Sequence, residues 1–179
     1  MQRIIVTGAT SMIGVALIEE CIKHGTEVYA VVREGSKKRS RLPESSLIKF
    51  ADCSLEHLDR LPEMISQECD TFYHIAWGNT GENRNSSTEL QSRNIGYTLA
   101  AVKAAAALGC KRFIGAGSQA EYGLLDLDRI SPESAANPTT PYGAAKLASG
   151  YLAGMLCKEL GIECIWPRIF SVYGIYEKE

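Results

Sequence analysis

Short apolar runs alternate along this chain with longer segments in which apolar residues recur at helical spacing. Runs at residues 4–6, 27–32, 47–50, 70–75, 112–116 and 162–166 predict six β-strands. Segments at residues 15–24, 90–108 and 141–160 predict helices ended by glycines, and another helix is expected from Leu55. Strands that alternate with helices favour a parallel sheet with helices on both faces, and such sheets bind ligands beyond the carboxyl ends of their strands.

The segment after the first strand has the residues of a tight turn. It reads G-x-x-S-x-x-G from Gly8 to Gly14, with Ser11 where a middle glycine is expected. Gly8 would allow the sharp turn, Gly14 would let the helix pack closely on the strand, and the free N–H groups of the helix start favour a phosphate. The Ser11 hydroxyl can itself donate to a pyrophosphate. The alternative is an ordinary strand–helix turn whose glycines serve packing only.

Basic residues follow the second strand. Arg33 ends it, and four more follow closely at Lys37, Lys38, Arg39 and Arg41. In a dinucleotide-binding fold this strand end faces the adenine ribose, where an acid binds a free 2′-hydroxyl and arginine suits a 2′-phosphate. We therefore favour NADP over NAD, and the alternative is a solvated basic loop. Asp52 is interpreted either as an acceptor for the adenine amino group or as a helix cap.

The composition is that of an ordinary globular domain. The 179 residues are 45% hydrophobic and 22% charged, which is enough for one domain with a sizeable core. A net charge of −2 gives no electrostatic case for nucleic acid or an anionic membrane, and no apolar run has the length of a membrane span. The six cysteines and three histidines are scattered, so we expect reduced cysteines, no metal site and a cytoplasmic protein without a signal peptide.

A tyrosine and a lysine four residues apart stand near the start of the last predicted helix. Residues i and i+4 share a helix face, so the Lys146 ammonium is expected near the Tyr142 phenol. A nearby cation lowers the pKa of a phenol from about 10, which makes it a usable acid or base near neutral pH. Ser118 is placed to donate to a substrate oxygen. The alternative for Tyr142 and Lys146 is a surface pair, and His74 is interpreted as a satisfied core residue.

Six stretches, in order along nearly the whole chain, carry a specific family resemblance. They are residues 7–14, 72–76, 94–98, 118–123 (Ser-Gln-Ala-Glu-Tyr-Gly), 142–146 and 167–174 (Pro-Arg-Ile-Phe-Ser-Val-Tyr-Gly). The chain resembles the extended short-chain dehydrogenase/reductase family, the NAD(P)-dependent epimerase/dehydratase group that acts mostly on nucleotide sugars. The resemblance implies an α/β fold, a Rossmann-type doubly wound parallel sheet with strand order 3-2-1-4-5-6.

The resemblance also implies roles for individual residues. Ser118, Tyr142 and Lys146 would form the catalytic set, in which Tyr142 shuttles a proton on a sugar hydroxyl while hydride passes to or from the nicotinamide. The implied cofactor-binding residues are Gly8, Thr10, Ser11, Met12, Ile13, Gly14, Arg33, Asp52, Cys53, Ala76, Lys146 and Pro167. Lys146 would bind the nicotinamide ribose. The implied substrate-binding residues are Ser118, Gln119, Tyr142 and Ser171.

Departures from the family pattern refine the expected reaction. Ser11 replaces the middle glycine, Tyr97 stands where glycine is usual, and Ser171 stands where asparagine is usual. Gln119 and Ala120 follow the catalytic serine, where the 4,6-dehydratases of the family tend to have Asp-Glu. Epimerisation or keto-reduction therefore ranks above dehydration, and the basic strand end adds weight to keto-reduction.

Family members continue for roughly a further hundred residues that form a smaller substrate domain. Residues 1–179 are therefore expected to form the dinucleotide-binding domain, with the substrate domain largely absent and turnover poor. The rival hypothesis is a non-catalytic dinucleotide sensor or interaction protein with the same fold. Helices 90–108 and 142–160, with their small alanines, would allow a homodimer through four-helix packing, and would equally allow packing onto the sheet.

Overall fold

Six parallel strands form the main sheet of the protein, whose computed structural model describes residues 2–126 and 128–177. In chain order these strands are β1 (Arg3–Thr7), β2 (Glu27–Val32), β3 (Ile48–Asp52), β4 (Thr71–His74), β5 (Arg112–Gly115) and β7 (Glu163–Ile165), and two short strands, β6 (Gly117–Ser118) and β8 (Arg168–Ile169), pair separately. The main sheet has the order β3-β2-β1-β4-β5-β7, so its sixth strand lies beside its fifth. The predicted doubly wound order 3-2-1-4-5-6 is confirmed.

In the part of the chain that the structure describes, four α-helices and four 3-10 turns connect the strands. The helices are α1 (Met12–Lys23), α2 (Leu61–Met64), α3 (Thr88–Ala107) and α4 (Pro141–Glu159), and the 3-10 turns are Lys37–Arg41, Leu55–Arg60, Glu82–Asn85 and Gln119–Glu121. The helix expected from Leu55 is therefore wrong in kind. Its residues instead form a 3-10 turn, whose backbone leaves the helical region at His57 (φ −125°, ψ 23°), followed by the single turn α2.

The two faces of the sheet carry separate cores, as alternation of side chains along a strand requires. On one face Ile5, Phe72 and Phe113 pack with alanines of α3 and with Ala153 of α4. On the other face Val6, Val28 and Ala30 pack against Val15 and Ile18 of α1. Helices thus cover both faces, and every residue of β2 is buried.

Two helices start earlier than apolar spacing predicts, each directly after a serine that serves as its N-cap, whereas α4 starts at Pro141 as predicted. Helix α1 starts at Met12, with Ser11 as its N-cap, and α3 starts at Thr88, with Ser87 accepting from the Leu90 N–H. All six cysteines are free thiols, and four of them are buried, as expected. In the described ranges, no helix has both the length and the hydrophobicity to cross a bilayer.

Candidate cofactor cleft and catalytic group

A cleft of about 700 Å³ opens at the carboxyl ends of β1, β2 and β4. Seven of the residues expected to bind the cofactor line it: Gly8, Thr10, Ser11, Met12, Arg33, Cys53 and Ala76. Ile13 and Gly14 follow in the first turn of α1. The cleft therefore lies at the sheet edge where doubly wound folds bind their ligands.

The two glycines of the first turn are fixed by close packing. Gly8 has a φ of +69°, and a Cβ on it would lie 2.7 Å from the Ala76 nitrogen. A Cβ on Gly14 would lie 2.2 Å from the Gly8 carbonyl oxygen. Both positions therefore exclude a side chain, and the backbone of the turn comes within reach of a ligand in the cleft.

Ser11 caps the helix that begins at this turn. Its Oγ accepts from the Gly14 N–H at 3.1 Å, so its own hydrogen stays available to a ligand oxygen. Among the described residues no acceptor bonds the N–H groups of Met12 and Ile13. Free N–H groups at a helix start, with no acidic side chain in the first turn, fit a pyrophosphate.

The basic segment after β2 divides between the cleft and its surroundings. Arg33, Lys38 and Arg41 line the cleft, and Arg41 Nη1 donates to the Thr10 carbonyl at 3.2 Å. Arg39 instead pairs with the Asp52 carboxylate. Asp52 therefore ends β3 in an ion pair outside the cleft lining, and it caps no helix, because the following 3-10 turn has Ser54 at its N-cap.

A directional hydrogen-bond chain holds the end of β4 beside the cleft. The Ala76 N–H donates to Thr7 Oγ1 at 3.3 Å, and Thr7 Oγ1 lies 2.9 Å from His74 Nδ1. His74 Nε2 lies 3.5 Å from Thr98 Oγ1, which donates to the Asn94 carbonyl. These bonds require Nδ1 to accept and Nε2 to donate, and burial lowers the pKa of His74 to about 3. His74 is thus a neutral, satisfied core residue, as predicted.

Two buried amides of α3 hold the loop that follows, residues 77–79, and the sequence analysis missed their role. Asn94 accepts from the Gly78 N–H at 2.7 Å and donates to its carbonyl, while Gln91 accepts from the Trp77 indole N–H at 2.8 Å and donates to the Asn79 carbonyl at 2.8 Å. Both side chains are 1% exposed. The available signal was the helical spacing of polar Gln91 and Asn94 on the face of α3 that turns inward.

The Tyr142 and Lys146 side chains lie on one face of α4, as predicted. Thr140 caps this helix by accepting from the Gly143 N–H, and Pro141 occupies its first turn. Lys146 is 3% exposed, its Nζ donates to the Ala116 carbonyl at 2.6 Å, and it lies 5.9 Å from the centre of the Tyr142 ring. Burial lowers the pKa of Lys146 to about 7, opposed by the carboxylate of Glu121.

Ser118 begins the 3-10 turn that packs against the start of α4. Its Oγ accepts from the Ala120 N–H at 3.2 Å, and the buried Glu121 carboxylate accepts from the Ser118 N–H at 2.8 Å. A Cβ on Gly143 would lie 2.3 Å from the Ala120 carbonyl, so only glycine allows this approach. The turn and the Tyr142 end of α4 are therefore held together, and the Ser118 hydroxyl keeps a hydrogen to donate.

Some predicted residues lie apart from the cleft. Ser118, Tyr142 and Lys146 are not among the described residues that line it, and Trp77 lies between it and Lys146. Pro167 lines a second cavity of about 470 Å³ with Tyr122, Arg168 and Phe170. Gln119 and Ser171 are exposed. The structure thus gathers at the cleft most of the residues expected to bind the adenosine and the pyrophosphate, with Asp52 outside it, and places Tyr142 and Lys146 against Trp77, which lines the cleft.

Comparisons with known proteins agree with this arrangement. The NAD dependent epimerase/dehydratase family matches residues 4–179. UDP-glucose 4-epimerase of Corynebacterium glutamicum is 24% identical over 177 residues, which cover 98% of this chain and 53% of that enzyme. The NAD(+)-dependent dTDP-6-deoxy-L-talose 4-dehydrogenase of Aggregatibacter actinomycetemcomitans is 28% identical over 145 residues, which cover 81% and 52%. The chain thus spans about half the length of these relatives.

A solved structure shows the same fold. UDP-glucuronic acid 4-epimerase from Bacillus cereus, in complex with NAD, superposes with a TM-score of 0.79 at 22% identity, over 99% of this chain and 59% of that one. At this identity the likeness establishes the doubly wound architecture.

Proposed function

Because this chain belongs to the NAD-dependent epimerase/dehydratase family, we propose that it is the dinucleotide-binding domain of a sugar-nucleotide epimerase or keto-reductase. The observation that carries the proposal is that the glycine turn and the buried lysine lie at the same edge of the sheet. The Gly8–Gly14 turn follows β1, and buried Lys146 is hydrogen-bonded to Ala116 at the end of β5. A nicotinamide dinucleotide bound there supplies the hydride acceptor or donor.

The residues of the catalytic group have complementary roles in this proposal. Tyr142 takes a proton from, or returns it to, a sugar hydroxyl through its phenol oxygen. Ser118 donates its free hydroxyl hydrogen to the same substrate oxygen. Lys146 binds the nicotinamide ribose. Gln119 and Ser171 contact the sugar nucleotide, and Pro167 the cofactor.

The choice between NADP and NAD rests on the basic segment after β2. We propose NADP, because Arg33, Lys38 and Arg41 supply three cations to a cleft whose described lining has one acid, Glu56, and because Asp52 is paired with Arg39. NAD is the competing cofactor. The dTDP-6-deoxy-L-talose 4-dehydrogenase is NAD(+)-dependent by name, and the B. cereus epimerase is in complex with NAD.

A non-catalytic dinucleotide-binding protein is the second candidate. It is favoured by one observation, that Trp77 stands between the cleft and Lys146. Dehydration ranks below both, since Gln119 and Ala120 follow Ser118.

Two measurements test these candidates. Fluorescence titration with NADPH and NADH is expected to show binding, and the absence of binding for both would reject the proposal. A hydride-transfer assay on UDP- and dTDP-sugars, with the full-length polypeptide if the gene continues beyond Glu179, separates an enzyme from a sensor. Tyr142→Phe is expected to abolish turnover while cofactor affinity changes only a few-fold; a wild-type rate in this variant would remove Tyr142 from the mechanism.

We also propose a homodimer formed through α3 and α4. These helices pack against each other, and α4 leaves Tyr151, Leu152 and Met155 exposed, the last at 61%. Sedimentation velocity on Met155→Glu tests it, since a charge in the interface is expected to give monomers. A wild-type protein that is monomeric at all concentrations would reject the dimer.

A further inference from the structure

The Trp77 side chain contacts both parts of the site. One part is the cleft, which Trp77 lines with the residues of the first turn. The other is the catalytic group, because Lys146 Nζ lies 3.7 Å from the centre of the Trp77 ring and the Tyr142 ring meets it edge-on at 6.0 Å. The indole therefore stands as a wall between the cleft and the Lys146 ammonium.

The position of this wall is set by buried polar groups. The indole N–H donates to Gln91 Oε1 at 2.8 Å, and Gln91 in turn donates to the Asn79 carbonyl. Gly78, the next residue, is held on both its N–H and its carbonyl by Asn94. The hydrogen bonds of Gln91 and Asn94 to residues 77–79 thus set the position of the ring over Lys146.

The wall also satisfies Lys146. An ammonium has three donors, and within the described chain Nζ donates to one acceptor, the Ala116 carbonyl. The electron-rich face of Trp77 adds a cation–π contact at 3.7 Å and is the nearest of three rings, since Tyr142 and Trp166 lie at 5.9 Å and 6.0 Å from Nζ. A hydroxyl that is to bond Nζ from the cleft must therefore take the place of the indole.

We propose that Trp77 is a displaceable wall that covers Lys146 until the nicotinamide–ribose half of a dinucleotide moves it. The inference rests on the proposed function, in which Lys146 binds that ribose. In the proposed binding mode, Arg33 and Cys53 would hold the adenosine half of the dinucleotide, and Trp77 would meet only its nicotinamide half. Trp77 therefore opposes binding of the whole dinucleotide while leaving its adenosine half unaffected, and it acts as a positioning residue for Lys146.

Calorimetric titration with two ligands measures separately the affinity for the whole dinucleotide and that for its adenosine half. The ligands are the preferred dinucleotide, NAD+ or NADP+, and its matched fragment, ADP or 2′,5′-ADP. Removing the ring with Trp77→Ala is expected to tighten dinucleotide binding by about 3- to 30-fold, the range of a cation–π contact, and to leave the fragment unchanged. Tyr97→Ala is the matched control, because Tyr97 also lines the cleft but hydrogen-bonds Glu56 instead of contacting Lys146.

Indole fluorescence gives a second readout, since Trp77 and Trp166 are the two tryptophans of the chain. In a Trp166→Phe background, the dinucleotide is expected to shift the Trp77 emission and the fragment is not. Fragment binding also reports that each variant is folded.

The outcomes distinguish the wall from the proposed function. If Trp77→Ala leaves the affinity for the dinucleotide, relative to that for the fragment, unchanged or lower, the proposal that Trp77 is a displaceable wall is rejected. Trp77 would then either have no effect on binding or serve as a stacking surface for the cofactor. Wild-type protein that binds neither ligand would reject the proposed function, and the wall with it.

Discussion

The buried carboxylate of Glu121 and the guanidinium of Arg168 are joined at 2.9 Å, with side chains 1% and 21% exposed. The other oxygen of Glu121 accepts from the Ser118 N–H at 2.8 Å and from the Trp166 indole at 3.0 Å. One carboxylate therefore ties the Ser118 turn to β8, the strand that follows the main sheet. The same carboxylate therefore fixes the Ser118 turn, which packs against the start of α4 at Gly143.

Removing Arg168 is expected to destabilise the protein strongly. Arg168→Met leaves Glu121 buried without its cation, which costs about 3 kcal/mol of unfolding free energy. Arg112→Met is the matched control, because the Arg112–Glu163 pair is about half exposed and a surface pair contributes at most about 1 kcal/mol. Urea denaturation of both variants measures the difference, and equal losses would show that the Glu121 charge needs no partner.

Acid is expected to destabilise the protein through His74. Burial lowers the pKa of His74 to about 3 in the folded state, against 6.5 for the free side chain. Between these values the unfolded chain holds a proton that the folded chain lacks, so stability falls as the pH falls from 6.5 towards 3. The slope is about 1.4 kcal/mol per pH unit for this group.

A pair of histidine variants isolates this contribution. The unfolding free energy is measured at several pH values between 3 and 6.5, and in His74→Gln its dependence on pH is expected to lose the contribution of His74. This contribution is expected to remain in His24→Gln, because His24 is exposed on α1. Identical pH profiles for the two variants would show that His74 does not carry the effect.

How much of this molecule the sequence predicts depends on the range of the interactions involved. The parallel sheet with helices on both faces follows from apolar runs such as β2, whose bounds Glu27–Val32 match the prediction, while the strand order was implied by the family resemblance. The Tyr142–Lys146 face follows from helix geometry. Both kinds of signal are local, and a parallel sheet has few ways to connect its strands.

The parts that escaped prediction depend on contacts between distant residues. Three contacts join elements whose proximity cannot be read from residue spacing. They are the ion pair of Asp52 with Arg39, the hydrogen bond from Trp77 to Gln91, and the cation–π contact of Lys146 with Trp77. The helix predicted from Leu55 also differs, because its residues form a 3-10 turn with non-helical backbone at His57 and then the single turn α2. Such contacts decide how open the site is.

Gly14 is expected to reject even one added carbon. In Gly14→Ala the new Cβ would lie 2.2 Å from the Gly8 carbonyl, so the first turn must shift, at a cost of about 1–3 kcal/mol. Gly96→Ala is the matched control, because a Cβ there meets nothing within 4 Å and alanine favours the helix by about 0.5–1 kcal/mol. The midpoint temperature of thermal unfolding should fall in Gly14→Ala and rise in Gly96→Ala. A higher midpoint in Gly14→Ala would show that the turn is not tightly packed.

Arg33 is expected to carry selectivity for a 2′-phosphate. It lines the cleft at the end of β2, and a lost hydrogen bond to a charged group costs about 1.5–3 kcal/mol, or roughly 10- to 150-fold in affinity. Arg33→Ala should therefore weaken NADPH by about that factor and NADH by much less. Lys37→Ala is the control, because Lys37 belongs to the same basic segment but is exposed and does not line the cleft, so it should leave the NADPH-to-NADH ratio unchanged. Equal losses of NADPH and NADH in Arg33→Ala would reject the 2′-phosphate assignment, because a residue that faces only the shared adenosine moiety cannot distinguish the two cofactors.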